Sequence, residues 1–254
     1  MSPPGERIVY GAGPVRELVA RRPQLLRAVW VDPQRAGRAS HDPIAAIVIA
    51  ARAAKVLVED RKRDELDRAA GEGARHQGVV AWLGDYVYAD LDTVLADSPA
   101  LVVALDGVED PRNLGAILRS AYLLGAGGVI IPEHRAAAVT GIVSKASAGA
   151  SELIAIAQVG NLVRTLEELR ERNVWRVAVD AAEGAQPIAA IDLTMPLCLV
   201  LGAEGGGVRP LVAKHCDFHA IIPMSREAVG SFNVSVAAAI ALYEVRRQRG
   251  QSVG

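Results

Sequence analysis

Three short stretches of this 254-residue chain place polar side chains where apolar segments give way to loops. The first, DGVEDPRNLGAILRSA at 106–121, carries Asn113 and, six positions on, Arg119. Pro111 fixes the entry to a helical stretch, and Asn113 is placed to cap it by accepting a free backbone N–H. In the second, LVLGAEGGGVRP at 199–210, four glycines surround one carboxylate, Glu204. Glycine lets a backbone approach a ligand closely or take a positive φ. A carboxylate set among glycines is oriented only by a ligand or by neighbouring loops. No Gly-Lys-Ser/Thr follows, and the spacing is not G-x-G-x-x-G, so neither a Walker phosphate loop nor a dinucleotide fingerprint is present. The third, IIPMSREAVGSFNVSVAAAIALYE at 221–244, sets Ser231 and Asn233 just before a long Ala/Val helix. Capping explains one of those two polar residues, but not both together with the irregular loop before them.

The elements that must hold these loops alternate regularly from residue 101 onward. Apolar strand candidates lie at 101–105, 127–132, 153–159, 175–180, 197–202 and 219–223, with helical stretches at 113–124, 161–172 and 234–248 between them. Gly125 stops the first of those helices. Such alternation implies a parallel sheet covered on both faces, with ligands beyond the carboxyl ends of its strands. The earlier part reads as a smaller α/β module. It has strand candidates at 27–32 and 54–60, helix-like stretches around 14–22 and 41–53, and an end near HQGVVAW at 76–82. The expected division is therefore a module over 1–82, an acidic linker over 83–100 closed by Ser98-Pro99, and a second domain over 101–254.

Composition narrows the class. Hydrophobic residues make up 51% but aromatics only 4%, so the core is built from small and branched side chains. No apolar run of about 18 residues suggests a membrane span, and the start of the chain lacks a signal-peptide stretch, so a cytoplasmic protein is expected. Two cysteines, Cys198 and Cys216, supply neither a disulfide framework nor a four-cysteine zinc site. Net charge is −1, yet residues 1–80 carry 14 Lys and Arg against 10 Asp and Glu, while residues 81–254 carry 14 against 19. A positive first part is suited to phosphates, although an ordinary uneven surface would look the same.

Taken in order, N-x5-R, G-x-E-G and S-x-N-V-S-V-A closely resemble the three motifs of the SpoU branch of the SPOUT RNA methyltransferases, over residues 101–249. Tyr10-Gly11 and HQGVVA at 76–81 look like the RNA substrate-binding domain of the ribosomal RNA guanosine-2'-O members. The resemblance implies a knotted parallel-sheet catalytic domain, with S-adenosylmethionine held in the trefoil knot and no metal. Donor contacts would fall at Gly202, Ile222 and Phe232. Asn113, Arg119, Glu204, Ser231 and Asn233 would form the reactive centre, in a homodimer whose sites are completed across the interface. The implied reaction is methyl transfer to a ribose 2'-hydroxyl, with a guanosine of 23S rRNA as the target. A guanidinium stays protonated below a pKa of about 12. Arg119 therefore suits lowering the hydroxyl's pKa or gripping a phosphate as well as it suits the role of base that the family implies.

Three other readings compete. A tRNA substrate keeps the chemistry and changes the reader. An inactive RNA-binding or assembly protein keeps the fold, but would have no need of the complete polar set. A nicotinamide-dependent dehydrogenase would need a G-x-G-x-x-G after a first strand, and neither half of the chain has one.

Overall fold

The computed structural model describes residues 7–35, 42–71, 73–182, 184–203, 205–226 and 230–250. In chain order the elements are β1 (Arg7–Tyr10), α1 (Ala12–Arg21), β2 (Leu26–Val31), α2 (Pro43–Ala53), β3 (Leu57–Asp60), α3 (Arg63–Ala70) and β4 (Val79–Leu83). There follow α4 (Leu91–Val94), β5 (Leu101–Asp106), α5 (Pro111–Leu123), β6 (Gly128–Pro132), α6 (Gly141–Ala146), β7 (Ala155–Val159), α7 (Leu162–Glu171) and β8 (Trp175–Val179). The chain closes with β9 (Gln186–Pro187), β10 (Leu197–Gly202), α8 (Pro210–Ala213), β11 (Phe218–Ile221) and α9 (Val234–Gln248). These elements form two compact units. One comprises Met1–Val87 and Val139–Leu153, the other Tyr88–Ala138 and Ile154–Gly254.

The first unit is a mixed sheet in the order β1-β4-β2-β3, with β4 antiparallel to both its neighbours and β2 parallel to β3. Side chains alternate across a strand, and β4 shows the consequence. Val79, Ala81 and Leu83 join Val15, Leu18 and Ile47 of α1 and α2, while Val80 and Trp82 meet Leu66 and Ala70 of α3. Asp42 caps α2 by accepting from the Ile44 N–H at 2.9 Å, with Pro43 in the first turn.

Residues 139–153 fall, in sequence, inside the stretch 101–254, yet they pack with the first unit. The cause is a buried polar knit. Glu152 is fully buried, and its Oε2 accepts from Arg7 Nη1 at 2.5 Å. Its Oε1 accepts from Ser144 at 2.5 Å and from Ser151 at 3.1 Å. Arg7 also donates to the Gly84 carbonyl at 2.6 Å, and its guanidinium lies 4.9 Å from the Tyr86 ring centre. A buried carboxylate needs such partners. Gly149, at φ 84°, comes so close to Val9 that an added Cβ would lie 2.9 Å from its Cγ1.

The second unit holds seven parallel strands in the order β7-β6-β5-β10-β8-β11-β9. One face carries Val102, Ala104, Ile130, Cys198 and Val200 against Leu166 and Leu169 of α7. On the other, α5 and α9 pack together and against β6 and β10, burying Ile117, Leu118, Ala238 and Leu242. Both faces are covered, as continuous apolar strands require. The stretch read as linker is partly built into this unit. Asp90 caps α4, and Ala89 pairs with Ala157 of β7. No helix is long and apolar enough to cross a membrane among the described residues.

Candidate active site

Beyond the carboxyl ends of β10, β8 and β11 lies a cavity of 390 Å³, within the range of about 300–1,000 Å³ common for ligand pockets. Gly202, Ile222, Ser231 and Phe232, all singled out from the sequence, line it together. Leu201, Ile221 and Val234 add apolar wall, and Gly205 and Gly206 add open backbone, where a Cβ would meet nothing within 4 Å. This lining suits an adenosyl group: a greasy slot for the base and bare backbone for its polar edges.

Glycine is obligatory at 202. A Cβ there would sit 1.9 Å from both the carbonyl carbon and the oxygen of Gly207. The contact exists because the loop folds back as a tight hairpin, in which Ala203 and Gly207 exchange N–H···O bonds of 3.1 and 3.0 Å. Glu204, which follows Ala203 in the sequence, lies outside the described residues.

Asn113 and Asn233, 120 residues apart, are joined by a 3.2 Å hydrogen bond from Asn233 Nδ2 to Asn113 Oδ1. The first and third loops therefore meet. The expected cap at Asn113 is corrected: Asp110 caps α5, accepting from the Arg112 N–H at 2.8 Å, so the helix starts at Pro111 and Asn113 stands within its first turn. At the third loop Asn233 is the cap, accepting from the Ser235 N–H at 2.9 Å, and Ser231 faces the cavity instead. Arg119 is exposed on α5, does not line the cavity, and makes no ion pair with any described residue.

Two groups escaped the sequence reading. Asp106, buried at the end of β5, holds Arg209 from the far end of the glycine hairpin. Its carboxylate accepts from the Arg209 backbone N–H at 2.8 Å, from Nε at 2.7 Å, and pairs with Nη2 at 2.5 Å. That carboxylate raises the guanidinium's pKa above its ordinary value. Asp180, just past β8, lines the cavity and accepts from the Ala182 N–H at 3.1 Å. Each is a single acid at the end of an apolar strand, too ordinary a position to stand out in the sequence. The cysteines are unsuited to nucleophilic work: burial pushes the Cys198 thiol well up and that of Cys216 to about 12. No group of three or more His, Cys, Asp or Glu is arranged to hold a metal among the described residues.

The SpoU rRNA methylase family profile matches residues 100–243, and the profile for RNA 2'-O ribose methyltransferase substrate binding matches residues 8–88. The chain is 40% identical to the 23S rRNA (guanosine-2'-O-)-methyltransferase of Pseudomonas putida, over 95% of this chain and 96% of that protein. It is similar to the crystal structure of the SpoU methyltransferase AviRb from Streptomyces viridochromogenes in complex with AdoMet. There the TM-score is 0.76 and the identity 26%, covering 96% of this chain and 91% of that one. A TrmH/SpoU tRNA modifying enzyme of A. aeolicus, 32% identical with a TM-score of 0.55, covers 60% of this chain and 76% of its own.

Proposed function

This chain belongs to the SpoU rRNA methylase family, and we propose that it methylates the ribose 2'-hydroxyl of a guanosine in 23S rRNA. The donor is S-adenosylmethionine, which supplies, when bound, a methyl group already activated by the sulfonium charge. The observation that carries the reading is the cavity: Gly202, Ile222, Ser231 and Phe232, from two separate motifs, converge on one adenosyl-sized space at the carboxyl edge of the sheet. Gly202 and its hairpin give backbone contact, and Ile222 and Phe232 give the apolar wall.

The chain's own work is to align the hydroxyl and remove its proton. Asn113 and Asn233, already hydrogen-bonded to each other, position the ribose, with Ser231 and Glu204 completing the set. Arg119 acts as a fixed positive charge that favours the alkoxide as the hydroxyl proton passes to solvent water. Its exposure on α5, away from the cavity it should serve, supports a homodimer in which one protomer's Arg119 reaches its partner's donor. Leu123, Val236 and Tyr243, exposed at 63%, 44% and 60% on α5 and α9, are apolar surface suited to that contact. Residues 1–82 would read the RNA, residues 83–100 join the two parts, and residues 101–254, knotted as the family resemblance implies, would carry the transfer. Such a protein is expected in the cytoplasm.

The test combines mapping and complementation. Comparing 2'-O-methyl sites in 23S rRNA with and without the gene should reveal one lost guanosine mark, and a lost tRNA mark instead would replace the substrate. Arg119→Ala should abolish transfer with donor affinity kept. Mixing it with a donor-cavity variant should restore about a quarter of wild-type activity if sites are shared across a dimer, because half of the dimers then own one complete site. No recovery on mixing would place each site within one protomer.

A further inference from the structure

The same sheet edge carries a second cleft of 340 Å³, beyond the carboxyl ends of β6 and β7. It lies on the opposite side of the glycine hairpin from the donor cavity, and the two differ in chemistry. Among described residues, the donor cavity's only charged lining group is Asp180, an acid. The second cleft is lined instead by His134, Arg135 and Arg209.

Both arginines are open to solvent, and Arg209 is also held in place. Arg209 is clamped to Asp106 through its backbone N–H, Nε and Nη2, yet its side chain remains 53% exposed. Its Nη1 has no partner among the described residues. Arg135 sits at φ 56°, a left-handed conformation that costs a non-glycine residue on the order of 1–2 kcal/mol. Strain of this kind persists where surrounding structure imposes it, and it is found preferentially at ligand sites. The residue is exposed and makes no ion pair with any described residue. Besides Asp106, a further opposing charge stands near. Glu133, the residue after β6, has a carboxylate oxygen 3.5 Å from where a Cβ on Gly160 would lie.

We propose that this cleft, with Arg135 and Arg209 as its donors, takes a backbone phosphate of the substrate RNA beside the nucleotide being methylated. The inference rests on the RNA-methylating reading above and adds where the second unit grips its substrate. A guanidinium offers paired N–H groups to phosphate oxygens. Arg209 belongs to the loop that begins at Gly202, so a phosphate in the cleft is tied through one short hairpin to the donor cavity.

The experiment measures binding of deproteinised 23S rRNA to the full-length protein over a series of salt concentrations, with calorimetry of S-adenosylhomocysteine alongside. Arg135→Ala should weaken RNA binding roughly tenfold and lower the slope of log affinity against log salt by about 1, the loss of one phosphate contact. Arg135→Lys should recover most of the slope, and Glu133→Gln should tighten binding. Donor affinity should not change in any of the three. An unchanged RNA affinity and slope in Arg135→Ala would overturn the proposal, as would a fall in donor affinity, which would make Arg135 a structural residue. If the wild-type protein failed to bind or methylate the rRNA, the functional reading itself would fall, a result separable from equal behaviour of variant and wild type.

Discussion

Phe232 and Gly202 meet the same cavity with different tolerances. Gly202 admits no side chain at all, because its Cβ position is filled by the Gly207 backbone. Phe232 lines the cavity while 41% exposed, so it is a wall residue open to solvent and not a core residue. Complete burial of such a ring is worth up to about 3 kcal/mol. Phe232→Ala should therefore weaken S-adenosylhomocysteine binding by about 1–2 kcal/mol, with the melting temperature of the ligand-free protein nearly unchanged. Calorimetry checks this, and an unaltered dissociation constant would remove Phe232 from the site. Gly202 and Phe232 were both singled out through the family resemblance of the G-x-E-G and S-x-N-V-S-V-A motifs, since a glycine-rich turn or a polar pair before a helix is weak evidence by itself. Asp106 and Asp180 were not, since a single acid after an apolar strand is a common way to end one. Only the position of Arg209, 103 residues away, gives Asp106 its meaning.

At the scale of elements, six of the seven strands of the second unit were read to within two residues, and the two-residue β9 was not read. The segments expected at 101–105, 127–132 and 197–202 correspond to β5, β6 and β10, because strands buried on both faces are unbroken apolar runs. Short or polar pieces were missed. Helix α3, from RDELDRAA, buries only Leu66 and Ala70, and α6 has six residues, so each offers too few apolar positions to stand out as a periodic pattern. The joints between elements were also beyond reach, the Asp106–Arg209 clamp among them. It ties the end of β5 to the loop after β10, the two central strands. Asp106→Asn keeps the shape but loses the charge and one acceptor. Since Arg209 remains half-exposed and can turn to water, the cost should be about 1–3 kcal/mol, below the 3–5 of a fully buried pair. Denaturant unfolding would measure it. Donor affinity should fall severalfold as the hairpin loosens, whereas an intact affinity would show that Gly202 and Gly207 hold the loop unaided.

For the whole molecule, the first unit is not a detachable front end. Its buried Arg7 finds its counter-charge in Glu152, and Leu153 packs on its core. A fragment covering residues 88–254 would keep Val139–Leu153 but lose Arg7, Val9 and the sheet they cover. Such a fragment is expected to aggregate or to melt well below the intact protein, as light scattering and calorimetry would show. A soluble, equally stable fragment would mean that this segment repacks. Breaking the ion pair alone, with Glu152→Gln, should cost about 3–5 kcal/mol, because a buried guanidinium is left without its partner. The RNA-reading role proposed for residues 1–82 is accordingly better probed by reversing exposed charges there than by deletion.

The pairing of Arg7 with Glu152 spans 145 positions of sequence, and this bears on how the protein is made. At about 5–20 residues per second, synthesis takes roughly 3–13 s to pass from residue 87 to residue 153. Throughout that interval the earliest sheet waits with Val9 uncovered and a cation unanswered, while β5 and β6 emerge. Distant contacts of this kind slow folding, since loop closure must precede the contacts that reward it. The two units therefore mature interleaved, the first-synthesised one finishing only after the second has begun. A pause in translation between residues 87 and 153 would hold the nascent chain in its most exposed state.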